Sequence, residues 1–133
     1  MEGSMNIENI DKIMSMTDEQ IMSYSHKMFE NREELYDFLS TVWTAIISYQ
    51  QSIIEMQQLR SKKEYDREEF VYLDRIRTER HNTIIGYLNA LNRLCKWATG
   101  NPNSCIFEEK EIINRHEYAL AAFSFLQYCL SKM

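Results

Sequence analysis

LYDFLSTVWTAIISYQQSIIEM, residues 35 to 56, is the stretch that decides the fold. Its apolar positions recur at alternating spacings of four and three, which places them on one face of an α-helix. A seam of this kind is typical of a helix that packs lengthwise against others. Further apolar residues beside it predict a central helix contacted from more than one side. The seam is Leu35, Leu39, Val42, Ile46, Tyr49, Ile53 and Met56. The residues beside it are Phe38, Trp43, Ala45, Ile47, Ile54 and Leu59.

Composition extends the helical prediction to the whole chain. Its 133 residues include only three glycines and one proline, the residues that helix interiors tolerate worst. The hydrophobic share of 44% and the charged share of 26% are those of an ordinary globular domain. No apolar run is long enough to span a membrane. We therefore expect one all-α domain with no transmembrane segment.

Capping signals predict the first two helices. Thr17 opens a capping box, which predicts a short helix over about 18 to 29. Asn31, followed three residues later by Glu34, predicts the start of a second helix that runs to about Ser61. Residues 1–16 carry weaker signals for a helix, and we expect them to be flexible or weakly helical.

Two more helices follow from similar signals. Asp66 predicts the start of a third helix, which Gly100 and Pro102 end after about Ala98. Because no glycine or proline separates the second helix from the third before residue 86, one continuous helix is the alternative. A fourth helix is expected from near Phe107. The predicted fold is an up-down helical bundle over residues 17–133, with two long central helices and two shorter flanking helices.

Two finer predictions concern packing. Gly86 lies inside the third helix, where glycine is unfavourable, and we expect another helix to approach closely there. The buried face of the fourth helix is predicted from its spacing as Ile112, His116, Ala119, Phe123, Leu126 and Leu130.

The third helix places charged residues on its own apolar stripe. Its spacing puts Arg77, Arg80 and His81 where core side chains are expected, between Leu73 and Ile84. Charged residues at core positions mark a functional site or a buried polar cluster whose groups are all hydrogen-bonded. One interpretation is a buried polar cluster in which the arginines bind carboxylates such as Glu55 or the acidic N-terminal segment. The other is a partner-binding patch whose arginines recognise a carboxylate or phosphate.

The segment from Arg75 to His81, Arg-Ile-Arg-Thr-Glu-Arg-His, supports an enzymatic alternative. It resembles the pattern of an arginine, four to six residues and a histidine found in the small helical ribonuclease domains named for nucleotide binding in higher eukaryotes and prokaryotes. The resemblance covers seven residues and lacks the polar residue that directly follows the arginine. It implies that Arg75 or Arg77 would polarise a phosphate and that His81 would act as acid or base.

Charge gives a third alternative, a nucleic-acid-binding regulator. Residues 70 to 100 carry five basic side chains against two acidic ones, although the chain as a whole has a net charge of -5. The basic residues do not form one stripe around the helix, so we do not expect nucleic acid to be the partner. They are Arg75, Arg77, Arg80, Arg93 and Lys96.

A non-catalytic interaction module fits the sequence best. No Glu-x-x-His pair for a carboxylate-bridged metal site, glycine-rich phosphate loop or serine nucleophile motif is present, so we expect no metal, cofactor or catalytic residue. Three cysteines without a C-x-x-C pair favour reduced thiols and a cytoplasmic location. Because the two long helices outreach the short ones, their uncovered apolar surface predicts a protein partner, with a homodimer as one hypothesis.

Overall fold

Four α-helices form the protein in a computed structural model that describes residues 15–100 and 118–133. They are α1 (Asp18–Met28), α2 (Arg32–Arg60), α3 (Arg67–Thr99) and α4 (Tyr118–Lys132). The described residues contain no strand. The prediction of an all-α bundle with two long and two shorter helices is confirmed. The expected behaviour of residues 1–14 and the fourth-helix start near Phe107 lie outside the described residues.

The helices begin where side-chain chemistry predicts. The Thr17 hydroxyl accepts from the Gln20 backbone N–H at 3.1 Å, and the Gln20 side chain accepts from the Thr17 N–H at 2.9 Å. Asn31 accepts from the backbone N–H of Glu34 at 2.9 Å. Each bond satisfies a donor that the first helical turn leaves unpaired.

The two long helices are separate. Asp66 caps α3 by accepting from the Glu68 N–H at 3.0 Å, and residues 61 to 66 form a loop. The single continuous helix is therefore wrong. At the other end of α3, Gly100 takes a left-handed conformation with φ 70°, which glycine adopts without a steric penalty.

The four helices share one apolar core. α2 and α3 are antiparallel, since Arg80 lies beside Ser52 whereas Tyr87 lies beside Phe38. α4 is antiparallel to α2, because Trp43 contacts Phe123 while residues 53 and 54 lie near Leu120. α2 is thus antiparallel to both α3 and α4, which leaves α3 and α4 parallel to each other. α1 packs against α3 and α4 at the end of the bundle where those helices finish.

Unequal helix lengths divide the molecule into a bundle and an arm. α2 and α3 have 29 and 33 residues, or roughly 44 and 50 Å, whereas α1 and α4 have 11 and 15. The buried core extends along α2 as far as Tyr49 and along α3 from Ile84. Beyond it, residues 54–80 form a two-helix hairpin, which we call the arm. Its only buried side chains among the described residues are Met56 and Leu59, while Tyr65, Val71 and Tyr72 are exposed.

The α2 seam is confirmed with one exception. Leu35, Leu39, Val42, Ile46, Tyr49 and Met56 are buried, and Ile53 is half-buried. The expected contact on more than one side holds only in part. Ala45 and Leu59 are buried, but Trp43, Ile47 and Ile54 are exposed.

Two packing predictions need correction. The inward face of α4 is rotated, because Ala122, Phe125 and Cys129 are buried together with the expected Ala119 and Leu126. Phe123 and Leu130 are only half-buried, and Ile112 and His116 lie outside the described residues. The expected close approach at Gly86 is not found among the described residues, where a Cβ added to Gly86 would meet no atom within 4 Å.

None of the described helices has the length and apolar character that crossing a membrane requires.

Candidate functional site

The predicted cluster of Arg77, Arg80 and His81 lies where the bundle meets the arm. All three side chains are half-buried, on the side of α3 that faces α2. Among the described helices only α2 and α3 meet at this level, so long side chains reach the seam with their stems while their polar ends stay near solvent. Charged residues can therefore occupy this part of the α3 stripe, which is apolar from Ile84 onward.

Arg80 bridges the two long helices through uncharged acceptors. Its Nη1 donates to the Ser48 carbonyl oxygen and to the Ser52 hydroxyl, both at 2.8 Å. The Ser52 hydroxyl, which is buried, also donates to the Ser48 carbonyl at 3.1 Å. The expected carboxylate partner is thus replaced by a hydroxyl and a backbone carbonyl.

Arg77 interacts mainly within its own helix. Its Nε and Nη2 donate to the Asp74 carboxylate at 3.1 and 2.9 Å, and Nη2 also donates to the Thr78 hydroxyl. The hydrogen bond to Asp74 raises the pKa of Arg77 above its ordinary value, and Tyr49 on α2 adds to this effect. Arg77 therefore carries its positive charge beside the buried Tyr49.

His81 completes the cluster by packing on Tyr49. The two ring centroids are 5.9 Å apart and the planes are inclined by 54°. Tyr49 is thus the residue on which Arg77 and His81 converge. The sequence identified Tyr49 only as a member of the seam.

Arg75 stands apart from this cluster. It is exposed, and its guanidinium lies over the Tyr72 ring at 5.6 Å from the centroid. Of the two arginines named by the ribonuclease resemblance, Arg77 shares the His81 side of α3 and Arg75 does not. Within residues 15–100 and 118–133, no three His, Cys, Asp or Glu side chains are grouped as a metal site would require.

A second feature is an exposed apolar surface along α2. Trp43, Ile47 and Ile54 are 43 to 45% exposed, and their spacings of four and seven place them on one side of the helix. Leu120 on α4, 51% exposed, lines the same groove between α2 and α4 as Ile54. We call these four residues the apolar face. Scattered exposed apolar residues are normal, whereas an ordered stripe marks an interaction site.

The apolar face continues into a groove between α2 and α4. The groove encloses about 400 Å³. Its lining includes Ile46, Gln50, Ile53, Ile54, Ala119 and Leu120. The exposed side chains on and beside this groove, Trp43, Ile47, Ile54 and Leu120, are apolar ones that a core would normally cover.

Charge is absent from this part of α2. Residues 38 to 54 contain no Asp, Glu, Lys, Arg or His, so roughly 25 Å of the helix carries no formal charge. Charged side chains normally keep an exposed helix face solvated. Their absence makes the α2 surface easy to desolvate on contact with another apolar surface.

Two thiols are buried at the opposite end of the bundle. Cys95 and Cys129 are fully buried and not in disulfides, and the Cys95 thiol lies 3.8 Å from the Met28 sulfur. Burial raises the pKa of Cys129 to about 11, which keeps the thiol protonated. Burial also raises the pKa of the neighbouring Tyr24, with Cys95 contributing. A protonated, buried thiol is a poor nucleophile, so Cys129 is a core residue, as is the equally buried Cys95.

Ser48 and Ser52 are partners of Arg80 that were not predicted from the sequence. Their spacing of four residues on α2 was a usable signal, because serines one turn apart present hydroxyl and carbonyl oxygens on the same side. Their alignment with Arg80 depends on the register between two helices, which a single sequence does not specify.

Comparisons with protein-family models, curated proteins and solved structures found no match to this chain.

Proposed function

We propose that this chain is a non-catalytic protein-interaction module that binds through the apolar face of α2 and α4. The observation that carries the proposal is the exposure of Trp43, Ile47 and Ile54 on a helix segment without charge. Interfaces are characteristically depleted of charge at their centres and enriched in aromatic residues. The Trp43 ring is tilted against the Phe123 ring, with the centroids 4.8 Å apart. This contact fixes the position of an aromatic side chain of the kind that anchors interfaces.

The partner that this surface fits is a second copy of the chain. In a two-fold contact, the same surface of each copy meets the other. A two-fold axis near Ile46 and Ile47 would run two α2 helices antiparallel and oppose residue 38 to residue 54. Because residues 38 to 54 are uncharged, no like charges would face each other at any position along this antiparallel contact.

We place this module in the cytoplasm. Cys95 and Cys129 support that location, because both are reduced and buried in the core rather than paired in a disulfide.

Light scattering coupled to size exclusion tests the self-association. We expect the full chain to be dimeric at micromolar concentration and Ile47→Glu to be monomeric, because a buried unpaired carboxylate opposes the contact. Val71→Glu is the matched control. Val71 is an exposed β-branched residue on α3, outside the apolar face, and its variant should remain dimeric. A monomeric full chain, or a dimer that survives Ile47→Glu, would overturn the second-copy assignment.

The choice of a non-catalytic module over a ribonuclease has its own test. We expect the purified chain to leave mixed RNA intact, and His81→Ala to behave identically. RNA cleavage that His81→Ala abolishes would reject the proposal in favour of the enzymatic alternative.

A further inference from the structure

A second cleft lies between α2 and α3, with polar walls instead of apolar ones. It encloses about 430 Å³. Six of its eight lining residues carry a hydroxyl group and one is Arg80, while no carboxylate lines it. The lining residues are Ser40, Thr41, Thr44, Ala45, Ser48, Arg80, Thr83 and Tyr87. An excess of hydroxyl donors around one cation is the chemistry that recognises an oxyanion.

The α2 wall supplies a row of available donors. Ser40, Thr44 and Ser48 recur every four residues and therefore lie one above the other along the helix. Within the part of the chain that the structure describes, no protein acceptor is found for their hydroxyls. By contrast, the Thr41 and Thr83 hydroxyls donate to backbone carbonyls of their own helices at 2.9 and 3.0 Å.

The α3 wall supplies the charge. Arg80 uses only Nη1 for its bonds to Ser48 and Ser52, so its Nε and Nη2 have no protein acceptor among residues 15–100 and 118–133. Those two bonds fix the guanidinium across the end of the cleft. A guanidinium already held in place loses less conformational freedom when it binds an anion.

We propose that this cleft binds a phosphate-type oxyanion. Arg80 provides charge-assisted N–H bonds to the oxyanion, and Thr44 with its neighbouring hydroxyls donates from the opposite wall. A tetrahedral group fits this arrangement because its oxygens diverge toward both walls. The cleft is a different surface from the apolar face, so the proposal does not depend on self-association.

Titration of the isotope-labelled full chain with inorganic phosphate, followed by amide chemical shifts, tests this site. We expect saturable shifts centred on Ser48, Arg80 and Thr83, and no such shifts with sodium chloride at matched ionic strength. Arg80→Gln should abolish saturation. Because Arg80 also bridges two helices, Thr44→Val provides a second variant that keeps shape and leaves the bridge intact. It should weaken binding about ten- to a hundred-fold through loss of one charge-assisted hydrogen bond.

Two controls make the result decisive. Ser23→Ala, on the exposed side of α1, should leave phosphate affinity unchanged. Ile47→Glu should also retain phosphate binding whether or not it alters the oligomeric state, which separates the two proposals. Shifts that chloride reproduces, or saturation that survives both Arg80→Gln and Thr44→Val, would overturn the oxyanion site.

Discussion

Arg80 shows how a charged residue can occupy a helix seam without an ionic partner. Its two acceptors are the Ser48 carbonyl and the Ser52 hydroxyl, groups whose dipoles compensate a guanidinium that remains half-buried. Arg77, only four-fifths of a turn away, instead binds Asp74 on its own helix. The two arginines therefore contribute differently to stability, one across helices and the other within one.

We expect Arg80→Ala to lower the free energy of unfolding by about 1.5–3 kcal/mol, the range for hydrogen bonds made by a charged group. Arg77→Ala should cost only about 0.5 kcal/mol, as is usual for pairs within a helix. Urea denaturation measures both. Arg93→Ala, at an exposed position on α3, is the control and should lie within about 0.5 kcal/mol of the unchanged chain. Equal losses of unfolding free energy in Arg80→Ala and Arg77→Ala would contradict this assignment.

Gly86 offers a stabilising substitution. It is exposed within α3, and an added Cβ would meet no atom within 4 Å. We expect Gly86→Ala to raise the free energy of unfolding by about 0.5–1 kcal/mol, because alanine restricts the unfolded chain and favours the helix. Thermal or urea unfolding would measure the gain. A loss of stability would show that something in the intact protein does approach α3 at this position.

The buried thiol of Cys129 predicts a dependence on high pH. Its pKa rises from 9.0 to about 11 on folding, so the folded state holds the proton more tightly than the unfolded state. The stability that this group contributes is complete below pH 9 and is lost as the pH rises toward 11. The destabilisation caused by Cys129→Ala should therefore be smaller at pH 11 than at pH 8, by about 2 kcal/mol. If urea unfolding gave the same loss of stability for Cys129→Ala at pH 8 and at pH 11, this prediction would be contradicted.

At the scale of elements, helix starts could be predicted closely and helix faces less well. Thr17, Asn31 and Asp66 cap helices because their side-chain oxygens bond to N–H groups two or three residues away, an interaction contained in the local sequence. The inward face of α4 depends on its neighbours instead. Residues 118–130 are so widely apolar that several faces satisfy the same periodicity, and packing selects the one with the small Ala119 and Ala122.

The arm is the least protected element of the described structure. Residues 54–80 have only α2 and α3 to pack together, and their buried side chains, Met56 and Leu59, lie outside the main core. We expect backbone amides near Met56 and Leu73 to exchange with solvent faster than those near Leu88 and Leu91, since local opening there exposes little apolar surface. Native-state hydrogen exchange measures this directly. Uniform protection along α3 would show that the arm is covered, as by a second copy that reaches it.

At the scale of the whole molecule, the sequence predicted the bundle more completely than its surface. The spacing from Leu35 to Met56 and the scarcity of helix breakers were sufficient for an all-α fold. The spacing placed Arg77, Arg80 and His81 on the side of α3 where they are half-buried, but their neighbours on α2 were not predictable, because the register between helices is a tertiary property. The exposed apolar face was missed for a related reason. The sequence pattern predicts Trp43 and Ile47 as packed residues, but the position of α4 leaves both of them exposed.

The short connections around α2 have a consequence for the order of folding. Three residues separate α1 from α2, and six separate α2 from α3. Closing a short loop costs little entropy, so the α2 and α3 hairpin is the pairing that forms most readily. We expect this hairpin to form first and α4 to pack on it afterwards. Until α4 packs, Val42 and Ile46 would lack part of their apolar cover, and the hairpin would be prone to associate through those side chains.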